Sequence, residues 1–117
     1  MKFGYFANPT NRKNKPFGAL MQEQVDLAQY LDRHDWDSVW YTEHHFSYEG
    51  FEVVPNPVLM STWTAAHTKR IRIGQAANII TFWHPLRFAE DIAMLDHMSG
   101  GRVEVGVGRG IYGREAL

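Results

Sequence analysis

"SVWYTEHHF", residues 38–46, begins with strand-favouring residues and ends in Glu43, His44 and His45. β-branched and aromatic residues suit a pleated, half-buried strand, but a strand has no folding reason to finish on one carboxylate and two imidazoles. Side chains alternate along a strand. Extended backbone would therefore send Trp40, Thr42 and His44 to one side and Tyr41, Glu43 and His45 to the other. Adjacent histidines that diverge make a poor pair of ligands for one metal ion, and no third ligand follows at a recognisable spacing. Two readings remain: a hydrogen-bonded loop cap, or reactive groups presented at the end of a strand.

Working outward, three more runs have strand character: "KFGYF" at 2–6, "IRIGQAANII" from 71 and "RVEVGVG" from 102. The four starts fall 31 to 36 residues apart, the length of a strand, a helix and a return in a βαβ unit, which predicts parallel strands. Between the first two, Met21, Val25, Ala28 and Leu31 form the apolar stripe of an amphipathic helix. The next helix opens at Asn56, a good N-cap, with Pro57 at the first helical position; Leu59, Trp63 and Ala66 line one of its sides. A third helix has Pro85 near its start and Gly100 at its stop. Phe88, Ile92, Leu95 and Met98 make its stripe, and Ala89, Ala93 and Met94 widen it. So wide an arc predicts burial on two sides, the second against a partner chain.

A strand-helix alternation of this kind builds either an open doubly wound sheet or the first half of a (β/α)8 barrel. The open nucleotide-binding sheet normally carries a glycine-rich phosphate turn after its first strand; here Phe6 is followed by "ANPTNRKNKPFG". In barrels the reactive residues come from the C-terminal ends of several strands, which is where Phe6, Glu43, His44, Asn78 and Arg109 fall. The barrel is favoured. At this repeat length eight units need about 250 residues, so residues 1–117 are read as the N-terminal part of a single barrel domain. Taken alone, such a piece is expected to expose two strand edges and one sheet face and to self-associate or remain partly unfolded.

Composition narrows the partners. Twelve Lys and Arg against thirteen Asp and Glu leave a formal charge of −1, with the signs interspersed. No basic stripe for nucleic acid or an anionic membrane results. The chain has no cysteine, which excludes disulfides and thiolate metal sites and suits a reducing compartment. No apolar run reaches the roughly 18 residues of a membrane span, and the N-terminus lacks a signal-type apolar core. A cytoplasmic address is expected.

In the fourth strand Val103, Val105 and Val107 share one face, expected toward the helices, while Glu104, Gly106 and Gly108 share the other. Glycine there serves either a flat ligand resting on the backbone or a strand bulge. Arg109, just beyond, is suited to an anionic group such as a phosphate.

Together "MKFGYF", "VWYTEHHF", "KRIRIGQAAN" and "HPLRFAEDIAMLDHMSGGRVEVGVGRGIYG" resemble the bacterial luciferase-like flavin-dependent monooxygenases over essentially the whole chain. The resemblance implies a (β/α)8 barrel that binds reduced FMN, delivered by a separate flavin reductase, at its C-terminal mouth. It implies that FMN reacts with O2 to a flavin C4a-peroxide, which oxygenates a small organic substrate. On this likeness His44 is the acid/base beside the flavin, Glu43 orients the pocket and His45 supports the loop. Phe6 packs against the ring system, and Ala76 and Ala77 flank a non-proline cis peptide. Asn78 makes a polar flavin contact, Arg109 holds the phosphate and Tyr112 stands beside the ring. The resemblance also implies a homodimer through the second and third helices, bordered by Trp63, Ala66, Ala89 and Ala93. Gly108 occupies the place of a reactive cysteine in luciferase itself, which points to oxygenation of other substrates. Two alternatives stay open: a non-catalytic flavin-binding or interaction fragment, and a deazaflavin-dependent hydride-transfer enzyme.

Overall fold

A computed structural model describes residues 1–47, 50 and 52–115. The chain runs β1 (Gly4–Ala7), α1 (Phe17–Arg33), β2 (Ser38–Tyr41), α2 (Pro57–His67), β3 (Arg72–Ile79), α3 (Pro85–Ser99) and β4 (Val103–Gly108), with short 3-10 turns at Ile80–Phe82 and Gly113–Glu115. The four strands form one parallel sheet in the order β1-β2-β3-β4. Sequential neighbours throughout are what a barrel half requires, whereas an open doubly wound sheet reverses its order at a switch point.

Each helix forms for a local reason. Leu20, Met21, Val25, Ala28 and Leu31 of α1 are buried and join Val39, Tyr41, Ile71 and Ile73 in one core cluster. Asn56 Oδ1 accepts from the Leu59 amide at 2.9 Å, and Pro57 follows at a position whose missing N–H costs nothing. Gly100 stops α3 in the left-handed region, at φ 71°, and its amide returns to the carbonyls of Asp96 and His97.

Helix α2 is attached to the sheet by polar as well as apolar groups. Its buried side is Pro57, Val58, Met60, Ser61, Thr64 and Ala65. The Tyr41 hydroxyl is 2.8 Å from Thr64 Oγ1, and burial pushes that phenol up to about 12. Gln75 Nε2 donates to Ser61 Oγ at 2.9 Å. Of the stripe read from the sequence, Leu59 and Ala66 therefore turn outward, Leu59 being 66% exposed, while Trp63 is half-buried against the core. On α3, Leu95 is buried and Phe88 and Ile92 are half-buried, while Met94 and Met98 are exposed. Both helices keep a second apolar face.

At the N-terminal ends of the strands, side chains staple the elements together. The Asp32 carboxylate accepts from the amides of Lys69, Arg70 and Ile71. Burial works against its charge, but these bonds and the Arg70 guanidinium hold it below the usual carboxylate range. Arg102 donates to the carbonyls of Ala65, Thr68, Ile71 and Ser99.

Strand β4 corrects one expectation. Val105 and Val107 lie 47% and 59% exposed rather than packed under helices, while Val103 does pack against the core. Gly106 answers to the neighbouring strand: a Cβ there would come under 3.0 Å of the Gln75 carbonyl oxygen. The β3–β4 register shifts between Gln75 and Asn78, which is the bulge reading of that glycine.

Candidate active site

The C-terminal ends of all four strands converge on a cavity of about 260 Å³. Phe6 lines it from β1, Thr42, Glu43 and His44 from the segment after β2, Ala76, Ala77 and Ile79 from β3, and Gly108 through Ile111 from the end of β4. Glu115 closes one side. Of the residues singled out in the sequence, Phe6, Glu43, His44, Ala76, Ala77 and Arg109 meet here. The peptide joining Ala76 and Ala77 is cis.

Glu43 is 3% exposed, and both its oxygens are engaged. Oε2 accepts from the Ile79 amide at 2.8 Å and from the Trp83 indole N–H at 3.0 Å. Oε1 lies 2.8 Å from His45 Nε2, and the His45 ring sits against Phe82 with centroids 4.6 Å apart. Glu43 thus ties the exit of β2 to the exit of β3 and the approach to α3. It braces the rim, and His45 braces Glu43.

His44 has a different setting. Its backbone amide donates to the Val54 carbonyl at 2.9 Å, which anchors the loop returning toward α2. Its Nδ1 is 3.0 Å from Glu115 Oε1. That carboxylate is fully buried and also accepts from the amides of His45, Ile111 and Tyr112. Burial alone would raise the Glu115 pKa, but the bonds from His44 and the three amides outweigh it and hold the group below its ordinary range. An ionised acceptor with its lone pairs filled by N–H donors requires Nδ1 to carry a hydrogen. The lone pair of a neutral His44 ring is then on Nε2.

Tyr112 stands behind His44, ring centroids 5.7 Å apart, and its hydroxyl donates to Glu52 Oε1 at 2.9 Å. Asn78 does not line the cavity. It is fully buried, and its amide donates to the Gly106 carbonyl at 3.0 Å, holding β3 to β4. Sequence reading passed over Glu115 and Glu52. Neither follows a motif spacing; Glu115 reaches His44 from 71 positions away only because the segment after β4 folds back over the strand ends.

The cavity suits a planar ring with an anionic tail. Its floor is small-residue backbone at Ala76, Ala77 and Gly108. A Cβ at Gly108 would make only ordinary contact with Ala77, at 3.5 Å, so the glycine leaves open room that the fold itself does not need. Phe6 is 58% exposed at the mouth, an aromatic face available for stacking. Arg109 has no hydrogen bond or ion pair among the described residues, which leaves its guanidinium available to a phosphate. FMN carries both the ring and the phosphate, and a deazaflavin cofactor shares that plan.

Comparison with known proteins bears on the family and the fold. The family described as luciferase-like monooxygenase matches residues 1–116. The oxygenase component of a flavin-dependent trigonelline monooxygenase from Acinetobacter baylyi is 38% identical over 96 residues, 82% of this chain and 26% of that protein. The oxygenating constituent of 3,6-diketocamphane monooxygenase from Pseudomonas putida, solved in complex with FMN, superposes with a TM-score of 0.90 at 27% identity, covering 97% of this chain and 31% of that one. The coenzyme F420-dependent tetrahydromethanopterin reductase of Methanopyrus kandleri shares the fold, with a TM-score of 0.73 at 24% identity over 94% of this chain and 27% of that one. The chain thus spans about a quarter to a third of the length of these relatives.

Proposed function

The chain belongs to the luciferase-like monooxygenase family, and on that premise we propose that it carries the proton-handling and ring-seating part of a flavin-dependent monooxygenase that oxygenates a small organic molecule. Bound reduced FMN supplies the activation of O2. The chain's own residues do the rest. Phe6 packs against the ring system, Ala76, Ala77 and Gly108 give it a flat seat, and Arg109 clamps the phosphate. Tyr112 borders the ring from behind His44. Glu43 and His45 keep the strand exits together so that these contacts coincide. His44 takes or returns a proton at Nε2, within the cavity.

The observation that carries this reading is the buried, ionised Glu115 on Nδ1 of a histidine that lines the cavity. An imidazole oriented by a carboxylate is the standard form of a general base. The relatives named as flavin-dependent and the FMN in the diketocamphane enzyme support FMN over a deazaflavin.

The wider proposal includes a separate flavin reductase as donor of reduced FMN, as the phrase "oxygenase component" in the name of the trigonelline relative suggests. It also includes closure of the sheet into a (β/α)8 barrel and a homodimer through the second apolar faces of α2 and α3. Among the described residues no helix is long and apolar enough to cross a membrane, and the cysteine-free composition supports a cytoplasmic enzyme.

The test is NADH-linked oxygen consumption and product formation by the full-length protein with a flavin reductase. His44→Ala is expected to lower coupled product formation by about 100-fold or more, the scale of general acid/base catalysis, while FMN binding persists. Equal coupled turnover in the variant would overturn the reading.

A further inference from the structure

His44 is flanked by two carboxylates, and the second has no part in the arrangement described above. Glu52 Oε1 lies 4.0 Å from His44 Nε2, the nitrogen left with a lone pair by Glu115. That separation is too long for a hydrogen bond to a neutral ring and within ion-pair reach once the ring gains a proton. Glu52 is held there: the Tyr112 hydroxyl donates to the same oxygen at 2.9 Å. Its backbone takes φ 56°, an uncommon conformation for a residue with a side chain and one that clusters at functional sites. The Glu52 side chain is 18% exposed and that of His44 10%, so the carboxylate reaches solvent more readily than the imidazole does.

We propose that Glu52 is the proton outlet of His44, with Tyr112 positioning it and Glu115 fixing the tautomer that makes the outlet usable. The proposal rests on His44 being the proton-handling group. The lone pair on Nε2 takes the proton from the reacting molecule while Nδ1 keeps its hydrogen, donated to the Glu115 carboxylate. The Nε2–H bond then breaks, an O–H bond forms on the Glu52 carboxylate, and the resulting acid releases its proton to water. No electron changes hands. Glu115 cannot serve as outlet, because its oxygens are already occupied by N–H donors. Among the described residues, the charged and titratable groups around His44 are Glu115, Glu52 and Tyr112 from the packed segments, Glu43 and His45 on its own segment, and Arg109 across the cavity.

The test uses the full-length protein and two readouts. In the coupled assay, Glu52→Gln removes the carboxylate that receives the Nε2 proton, so coupled product formation is expected to fall by about 10-fold, with FMN binding unchanged and the rate partly restored by added formate. Tyr112→Phe should lower the rate by less and respond to formate in the same way. In flavin-free protein labelled with 15N-histidine, the neutral His44 ring should carry its hydrogen on Nδ1, and Glu115→Gln should mix the two tautomers. Coupled rates of both Glu52→Gln and Tyr112→Phe equal to the parent, or lowered rates that formate does not restore, or a neutral ring protonated at Nε2, overturn the proposal. If His44→Ala is inactive while Glu52→Gln and Tyr112→Phe match the parent, only the outlet fails. If His44→Ala is fully active, the underlying assignment fails with it.

Discussion

Glu115 decides what His44 can do, and its own environment makes a testable demand. Its folded-state pKa is depressed by hydrogen bonds that outweigh burial. A depressed carboxylate contributes stability that is present above its unfolded value, about 4.3, and is lost as pH falls through the lower folded value. Glu115→Gln should therefore be destabilised at neutral pH and should lose less stability than the parent on acidification through that window. Removing the charge from a buried, multiply bonded site is expected to cost about 3 kcal/mol. Urea unfolding at several pH values between neutrality and strong acid measures it, and identical pH slopes for parent and variant would contradict the assignment.

Among the elements, β4 separates two glycines that look equivalent in sequence. Gly106 sits against the β3 backbone, where an added Cβ would come under 3.0 Å of the Gln75 carbonyl oxygen. At Gly108 the same Cβ would make an ordinary 3.5 Å contact with Ala77 and project over the cavity floor. Gly106→Ala is expected to destabilise the fold by about 2 kcal/mol or more, since backbone cannot swing aside as a flexible side chain can. Gly108→Ala is expected to hold its stability within about 1 kcal/mol and to weaken FMN binding. Thermal melts with a flavin fluorescence titration separate the two, and a reversed order would show the strand to be inverted.

At the scale of the whole molecule, the exposed apolar surface among the described residues includes two stretches that the fold does not use internally. One is the outer face of β4, at Val105 and Val107; the other is the face shared by α2 and α3, where Leu59, Met94 and Met98 are exposed. Asn56, Val58, Thr62, Trp83 and Leu95 line a groove of about 360 Å³ between these helices. The second face is the one proposed for the dimer. Ala93 is exposed on α3, and Ala93→Arg in the full-length protein is expected to shift the species toward monomer and lower its melting temperature. Sedimentation equilibrium gives the answer, and an unchanged dimer of unchanged stability would exclude these helices.

The alternation of strands and helices was legible from local chemistry alone. The spacing of Met21, Val25, Ala28 and Leu31, the Asn56–Pro57 start and the Gly100 stop each act within a few residues. Arrival of Phe6, His44, Ala77 and Arg109 at one cavity was legible too, because parallel strands of equal repeat deliver their ends to one side. Leu59 misled, since a helix with two apolar faces does not say from periodicity which one meets the sheet; the Tyr41–Thr64 and Gln75–Ser61 bonds chose the other. Asn78 and Gly106 were bound by the neighbouring strand's register, which no local pattern encodes. Sequence determined the elements, their order and the arrival of His44 at the cavity. Only tertiary structure brought Glu115 and Glu52 to opposite nitrogens of His44, because a proton path depends on distances of a few ångströms between groups that the chain keeps far apart.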